Sequence, residues 1–414
     1  MSNSLLSIQT RVESPFIIVK IGDYTFGEYK QKKEGKHLNV TYPNYMESLS
    51  IVKVNGSLNT YTITMKYAVT ENDDPNMLDR VFSSVSGNRE ITLSYGDWMA
   101  PSYIYKEEKA MITNVAESVD FSSSVITYTI KCVSTSLVLK SIKKSFNAKT
   151  ARPSEEIVKL LNDETSGLMS IFPGMRNHTA NSFKNLIDMS DKPVKLCAKE
   201  NINVLDYIDY LVSCMVHTSD SEDGHKKNVY HWAVYDDIGG TMGGQYFKVH
   251  RASSGSIYNL SYNTYEIDIG YPSANLVSNF SISSDESWAI LYNYSKSISQ
   301  PEYEYSIDDN GQVVAVKSPS LTANSLYGRD SEANRNWWSN MTQFPIKATL
   351  TIKGLLRPAM LMSYVKINSY FYGKKHVSSG LYIVTKQEDV INSGGYKTTL
   401  SLTRLSGDVD YGQY

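Results

Sequence analysis

The sequence predicts a mainly β protein with a small α+β middle region, in which two β-barrel domains are joined by a helix-plus-hairpin segment. Three observations predict it. Strand-period alternation of apolar and polar residues runs through both ends of the chain. A three-strand pattern near the N-terminus returns near the C-terminus. Tyrosine is frequent, at 31 of 414 residues, and Tyr and Thr both suit a half-buried pleated surface.

The repeat reads as follows. The first copy is Ile91-Thr92-Leu93-Ser94-Tyr95-Gly96-Asp97, then Met111-Ile112-Thr113, then Ile126-Thr127-Tyr128-Thr129-Ile130-Lys131. The second is Ala348-Thr349-Leu350-Thr351-Ile352-Lys353-Gly354, then Leu381-Tyr382-Ile383-Val384, then Tyr396-Lys397-Thr398-Thr399-Leu400-Ser401-Leu402. Each copy is a two-faced strand with a glycine turn, a second strand, a polar turn and a Tyr/Thr-rich third strand. A chain with two similar sheet modules can tile a ring with fewer subunits than the ring has positions.

Residues 1–145 are expected to form the first barrel. Tyr61, Ile63, Met65 and Tyr67 alternate with Thr62, Thr64 and Lys66, the mark of a strand with one buried face. Asn55-Gly56 before it signals a hairpin turn. Asp74-Pro75-Asn76 opens a short helix carrying Met77, Leu78, Val81 and Phe82. Residues 146–270 are expected to form the middle domain. Pro153-Ser154-Glu155-Glu156 starts a helix with acids in its first turn, which favours the dipole. A second helix over 203–216 has one apolar stripe, Val204, Tyr207, Ile208, Leu211, Val212 and Met215. A hairpin follows, Tyr230 to Tyr235 and Gln245 to His250, linked by the glycine-rich 239–244. The second barrel takes 271–295 and 344–406, interrupted by an insertion at 296–343 with one hairpin signal at Asp309-Asn310-Gly311. Residues 407–414 form a tail.

Composition excludes several functions. Lys+Arg (41) nearly balances Asp+Glu (43), for a net charge of -2, so no overall basic footprint for nucleic acid exists. Cys132, Cys197 and Cys214 are odd in number and widely spaced, as for reduced thiols in a protein folded in a cytosol. The first residues lack the basic and apolar regions of a secretory signal. No apolar run is long enough for a membrane-spanning segment.

No catalytic, cofactor-binding or metal-binding residues are predicted, and the chain is not expected to be an enzyme. None of His37, His178, His217, His225, His231, His250 and His376 lies in a ligand motif, although His231 and His250 face each other across the hairpin. The 239–244 loop lacks the Lys-Ser/Thr end of a phosphate loop. Asp73-Asp74, Asp236-Asp237 and Asp308-Asp309 sit beside turn signals, where Asp bonds its own backbone. Trp337, Trp338, Tyr303, Tyr305 and Tyr327 suit packing or protein contact, with a sugar-binding surface as the alternative.

Three segments carry a family resemblance: the module from Tyr61 to Cys132, the helix Asn203-Val204-Leu205-Asp206-Tyr207-Ile208 with its hairpin, and the closing module from Ala348 to Leu402. In this order they resemble the tail or baseplate hub proteins of tailed bacteriophages, which are similar to the base of type VI secretion spike proteins. The resemblance covers most of the chain outside the insertion. It implies two tube-forming barrels and a homotrimer, whose pseudo-sixfold ring joins the hexameric tail tube to a trimeric spike or tip. It implies a tail tube or distal tail protein, a spike or tip protein, a tape-measure protein and other baseplate proteins as partners. It also implies that DNA passes only in transit through the lumen and that the protein is located in the tail or baseplate of the virion. The Thr/Ser-rich faces at Thr62/Thr64 and Ser401/Thr403 suit a lumen wall or a subunit contact. The competing readings are a tail-associated cell-wall hydrolase and a carbohydrate- or receptor-binding baseplate component acting through the insertion. Hubs of the family sometimes carry a hydrolase domain after the second barrel, and this chain ends soon after that barrel.

Overall fold

Alternation fixes strand after strand in this chain. The computed structural model describes residues 6–7, 15–22, 24–33, 36–41, 45–84, 89–97, 108–162, 186–218, 229–236, 245–252, 264–270, 277–284, 303–307, 313–317, 346–353, 361 and 363–407. In chain order the strands are β1 (Leu6–Ser7), β2 (Pro15–Ile21), β3 (Tyr24–Lys33), β4 (Lys36–Thr41), β5 (Met46–Val54) and β6 (Thr60–Ala68), followed by helix α1 (Met77–Ser84). Then come β7 (Glu90–Asp97), β8 (Glu108–Asp120), β9 (Val125–Ser134), a 3-10 helix (Thr135–Lys140), β10 (Lys143–Phe146) and β11 (Lys149–Ala151). The middle holds α2 (Pro153–Asn162), β12 (Val194–Leu196), β13 (Lys199–Asn203), α3 (Val204–Ser213), β14 (Val229–Asp236) and β15 (Gln245–Ala252). The last part holds β16 (Thr264–Ile269), β17 (Val277–Ser284), β18 (Tyr303–Ile307), β19 (Val313–Lys317), β20 (Ile346–Lys353), β21 (Tyr364–Phe371), β22 (Lys374–Lys375), β23 (Gly380–Asn392) and β24 (Gly395–Gly407).

Two modules share one strand order. The N-terminal module pairs β5-β6-β9-β8-β7, and the C-terminal module pairs β17-β20-β24-β23-β21. In each, the penultimate strand is 13 residues long and its ladder slips at a threonine, Thr113 in β8 and Thr385 in β23, and the β23 ladder slips a second time between Leu381 and Tyr382. A β-bulge of this kind bends a strand and re-aims its remainder. Both bulge threonines donate their Oγ1 across the ladder, Thr113 to the Lys131 carbonyl at 3.0 Å and Thr385 to the Ser401 carbonyl at 3.2 Å. The sequence repeat therefore holds for β8 with β23 and for β9 with β24. Its first strand needs correction. By position in the sheet β7 answers to β21, and the partner of Ala348-Thr349-Leu350-Thr351-Ile352-Lys353 is Tyr61-Thr62-Ile63-Thr64-Met65-Lys66 of β6. The misassignment arose because β6 and β7 carry the same alternation, and alternation does not encode neighbours.

The modules are fused. The first half of β23 pairs with β21 from Gly380 to Ile383. Its second half pairs with β5, from Lys386↔Val54 to Asn392↔Ser48. Ile391 and Tyr396 of the β23–β24 hairpin lie in the N-terminal core with Leu49, Ile51, Tyr61, Ile63 and Tyr128. The β7 side continues through β2, β3 and β4, and the sheet curls so that β2 comes back against β23. Gly27 makes the β2–β3 crossing possible: its φ is +116°, and a Cβ there would stand 2.1 Å from the Ile17 carbonyl oxygen.

A third core fills the middle, from Leu139 to Val249 with Leu58 joining it. Asn203 caps α3, its side-chain oxygen accepting from the Asp206 N–H at 2.8 Å. The helix ends at Ser213, not at 216, because the Cys214 N–H closes onto the Tyr210 and Leu211 carbonyls. Tyr207 stacks on Phe146 with ring centroids 3.6 Å apart. The β5–β6 turn ties this core to the first module. Gly56, at φ +69°, donates its N–H to the Trp232 carbonyl at 2.8 Å. The Trp232 indole donates to Asp209 Oδ1 at 2.7 Å. The insertion contributes the β18–β19 hairpin.

Candidate functional site: a polar sheet face spanning both modules

Residues opposite one another in a ladder point to the same side of a sheet. Following the registers from strand to strand traces one face across eight strands, in the order β17-β20-β24-β23-β5-β6-β9-β8. The C-terminal half of this face presents Asn279, Ser281 and Ser283, then Lys347 and Thr349, then Lys397, Thr399 and Ser401, then Lys386, Glu388 and Val390. The N-terminal half presents Ser48, Ser50 and Val52, then Thr60, Thr62, Thr64 and Lys66, then Thr127, Thr129 and Lys131, then Asn114, Ala116, Ser118 and Asp120. Every one of these side chains is exposed or half-buried. The opposite parity carries the cores, with Leu350, Leu400, Ile391, Leu49, Ile51, Ile63, Met65 and Ile130 buried. The two Thr/Ser faces expected separately from the sequence are thus one surface. Thr351, opposite Asn279 and Thr399, shares the face but is buried, and Thr403 is a second exception. It lies beyond the bulge at Thr385, opposite Ile383, and both are buried.

The face is rich in hydroxyls and sparsely charged. Lys386 pairs with Glu388 at 2.9 Å, and Lys66 pairs with Glu47. Lys347 donates to Thr403 Oγ1 at 3.3 Å, and burial holds its ammonium below the usual lysine range. Asp120 closes the tip of the β8–β9 hairpin, accepting from Ser122 and Ser123, and these bonds lower its carboxyl to about 2. Phe121, next to it, is 90% exposed.

Beneath the face, at the joint between modules, lies a buried polar network. Lys53 Nζ stands 3.5 Å from Glu108 Oε1, and both side chains are buried. Tyr61 and Tyr95 donate their hydroxyls to Glu108, the latter at 2.8 Å. On the C-terminal side Asp389 accepts from Thr398 Oγ1 at 2.5 Å and Gln387 Nε2 at 2.8 Å. Burial pushes the Asp389 carboxyl up to about 6, opposed by the Thr398 hydrogen bond and the nearby Lys53 charge. One ammonium thus serves two carboxylates, one from each module.

No protein-family model and no curated protein matches the sequence. Solved structures do match. A tail protein from Neisseria meningitidis MC58 aligns at 8% identity over 95% of this chain and 97% of its own, with a TM-score of 0.48. The 43 kDa tail protein of prophage MuSo2 from Shewanella oneidensis aligns at 11% identity over 95% and 97%, with a TM-score of 0.49. The chain is similar to bacteriophage tail proteins. The E. coli c3393 protein, described as a type VI secretion component structurally similar to bacteriophage tail proteins, aligns at 8% identity over 87% of this chain and 74% of its own, with a TM-score of 0.47.

The residues weighed for chemistry fall elsewhere. His231 and His250 are direct partners in the β14–β15 ladder. Burial, with Lys347 nearby, pushes the His231 imidazole down to about 4, so it is neutral at pH 7. Asp73 accepts from the Thr70 N–H and hydroxyl, and Asp74 accepts from the Asn76 N–H and pairs with Arg80 at 2.9 Å. Both close a turn. Cys132, Cys197 and Cys214 are thiols outside any disulfide, and burial pushes Cys132 up to about 12. Among the described residues no group of three or more His, Cys, Asp and Glu is placed to hold a metal, and no helix is long and apolar enough to cross a membrane. His376 Nδ1 meets the Ser378 hydroxyl at 2.8 Å within a turn whose Ser369, Ser378 and Ser379 hydroxyls bond one another. Arg404 donates to the Val377 and Ser379 carbonyls of the same turn, so the cluster holds the connection into β23. The 239–244 loop, Asp237, Asp308, Asp309, Tyr327, Trp337, Trp338, His37's side chain, His178, His225 and the 407–414 tail beyond Gly407 lie outside what the structure describes.

Proposed function

We propose that this chain is a structural tail hub: three copies form a pseudo-sixfold ring that joins a hexameric tail tube to a trimeric spike or tip. One observation carries the reading. Two modules of identical strand order are fused side by side in one sheet and share one uninterrupted polar face. Three such chains supply six equivalent modules. The polar face is the lumen wall in this reading. Hydroxyls and a few lysines, two of them already paired with carboxylates, give a surface on which the tape-measure protein and then DNA slide. A dense basic wall would neutralise many phosphates and retain the DNA. The sequence resemblance to tail hubs supplies the partners: tail tube or distal tail protein, spike or tip, tape measure and neighbouring baseplate proteins. The role is non-enzymatic and the location is the virion tail.

Light scattering of the purified chain, alone and co-expressed with its tube protein, tests the reading. A ring of three 46.6 kDa chains has a mass of about 140 kDa. Monomers in both preparations refute it.

A further inference from the structure

The internal joint between the modules is half of a pattern that the chain leaves open at both ends. The second half of β23 pairs with β5, the first strand of the other module. Its equivalent, residues 114–120 of β8, pairs only with β9 among the described residues. All of 113–120 is exposed on both faces. The equivalent of β5 is β17, which pairs only with β20 among the described residues. Among the described residues, one donor edge and one acceptor edge are therefore without a strand partner.

We propose that residues 114–120 of β8 pair antiparallel with β17 of a second copy of this chain, in the register that β23 and β5 use within one chain. The inference rests on the ring reading above and supplies its subunit contact. The register follows from two correspondences. The bulge threonines Thr113 and Thr385 align Asn114 with Lys386 and Asp120 with Asn392. Thr62 of β6 and Thr349 of β20 align their ladder partners Ser50 and Ser281. The internal pair Val390↔Ser50 then becomes Ser118↔Ser281 between copies. Ile391↔Leu49 becomes Val119↔Phe280, Asp389↔Ile51 becomes Glu117↔Ile282, and Asn392↔Ser48 becomes Asp120↔Asn279.

The side chains fit this register. On the wall face Ser118 meets Ser281, Asp120 meets Asn279 and the small Ala116 meets Ser283. On the core face Val119 meets Phe280, where the closed joint buries Ile391 against Leu49. Val119 and Ile282 are each 41% exposed in the single chain and become covered in the pair. The acids of β8, Glu117 and Asp120, meet a strand with no charged residue, Val277-Ser278-Asn279-Phe280-Ser281-Ile282-Ser283-Ser284, so no like charges are juxtaposed. Bare edges of this kind pair with further chains unless protected. A contact that uses one donor and one acceptor per copy is head-to-tail and continues until a ring closes.

Ser118→Cys and Ser281→Cys, made singly and together in the full chain, test the pairing. Directly opposed Cβ atoms lie ~4.5–5.5 Å apart, within reach of a disulfide after small adjustment. Under mild oxidation, mixed single variants are expected to give a covalent dimer and the double variant a covalent trimer on non-reducing gels. The slipped pair Ser118→Cys with Ser283→Cys is expected to cross-link at least about tenfold less, since a two-residue slip opens the Cβ separation to ~7–8 Å. Val119→Lys is expected to give folded monomers, because it puts a charge where Phe280 would cover it. A trimer by light scattering without the 118–281 cross-link, or a Val119→Lys trimer, overturns this joint while leaving the hub reading in place. Monomers of the parent chain, both alone and co-expressed with its tube protein, without any cross-link overturn both.

Discussion

Asp389→Asn separates the charge at the module joint from its shape. The carboxyl is enclosed, bonded by Thr398 and Gln387, and raised to about 6 by burial. In the unfolded chain an Asp titrates near ~3.9. Between those values the folded protein binds the proton more tightly than the unfolded one. The stability contributed by this group is therefore fully present below about pH 4 and is lost as pH rises through about 6. Two units at ~1.36 kcal/mol each set the loss at about 3 kcal/mol. Asparagine keeps the size and the acceptor for Thr398 but cannot ionise. Urea denaturation of variant and parent, each at about pH 4 and about pH 7.5, isolates the effect, because every other titrating group is common to both. The difference is expected to move in the variant's favour by about 1–3 kcal/mol at the higher pH. A difference that stays constant with pH, or moves in the parent's favour, refutes the argument that burial of this carboxyl outweighs its hydrogen bonds and the Lys53 charge.

Other substitutions probe the same framework. Lys53→Met leaves Glu108 and Asp389 buried without their cation and should cost about 3–5 kcal/mol in chemical denaturation. Combining it with Glu108→Gln and Asp389→Asn should recover most of that loss. Asn203→Ala removes the α3 cap and should cost ~1 kcal/mol by the same measurement, with the circular dichroism of the strands unchanged. Cys132 should resist a thiol-specific chromogenic reagent at about pH 8 until the chain is unfolded, since burial keeps it protonated.

Much of the fold was legible because its strands obey period two. The hairpin turn at Asn55-Gly56, the helix after Asp74-Pro75, the start of α2 at Pro153 and the apolar stripe of α3 all stand where their residues signal them. The repeat was legible as two similar ends, because Thr62-Ile63-Thr64 and Thr349-Leu350-Thr351 satisfy the same half-buried environment. Which strand answers to which was not, since register and neighbour order are set by tertiary pairing that alternation leaves open. The continuity of the polar face was hidden for the same reason. It depends on β23 reaching β5 across more than three hundred residues of sequence. The buried network does leave a signal in the sequence. Lys53 shares the parity of Leu49 and Ile51, and Asp389 that of Ile391, so two charged residues occupy core positions of their strands. Charges at core parity point to a pair brought together by packing.

End-on electron microscopy of the assembled particle tests the central claim most directly. Two equivalent modules per chain predict a closed ring of three subunits with six similar lobes around an open channel. Particles with no central channel, or rings whose three subunits each contribute a single lobe, contradict it.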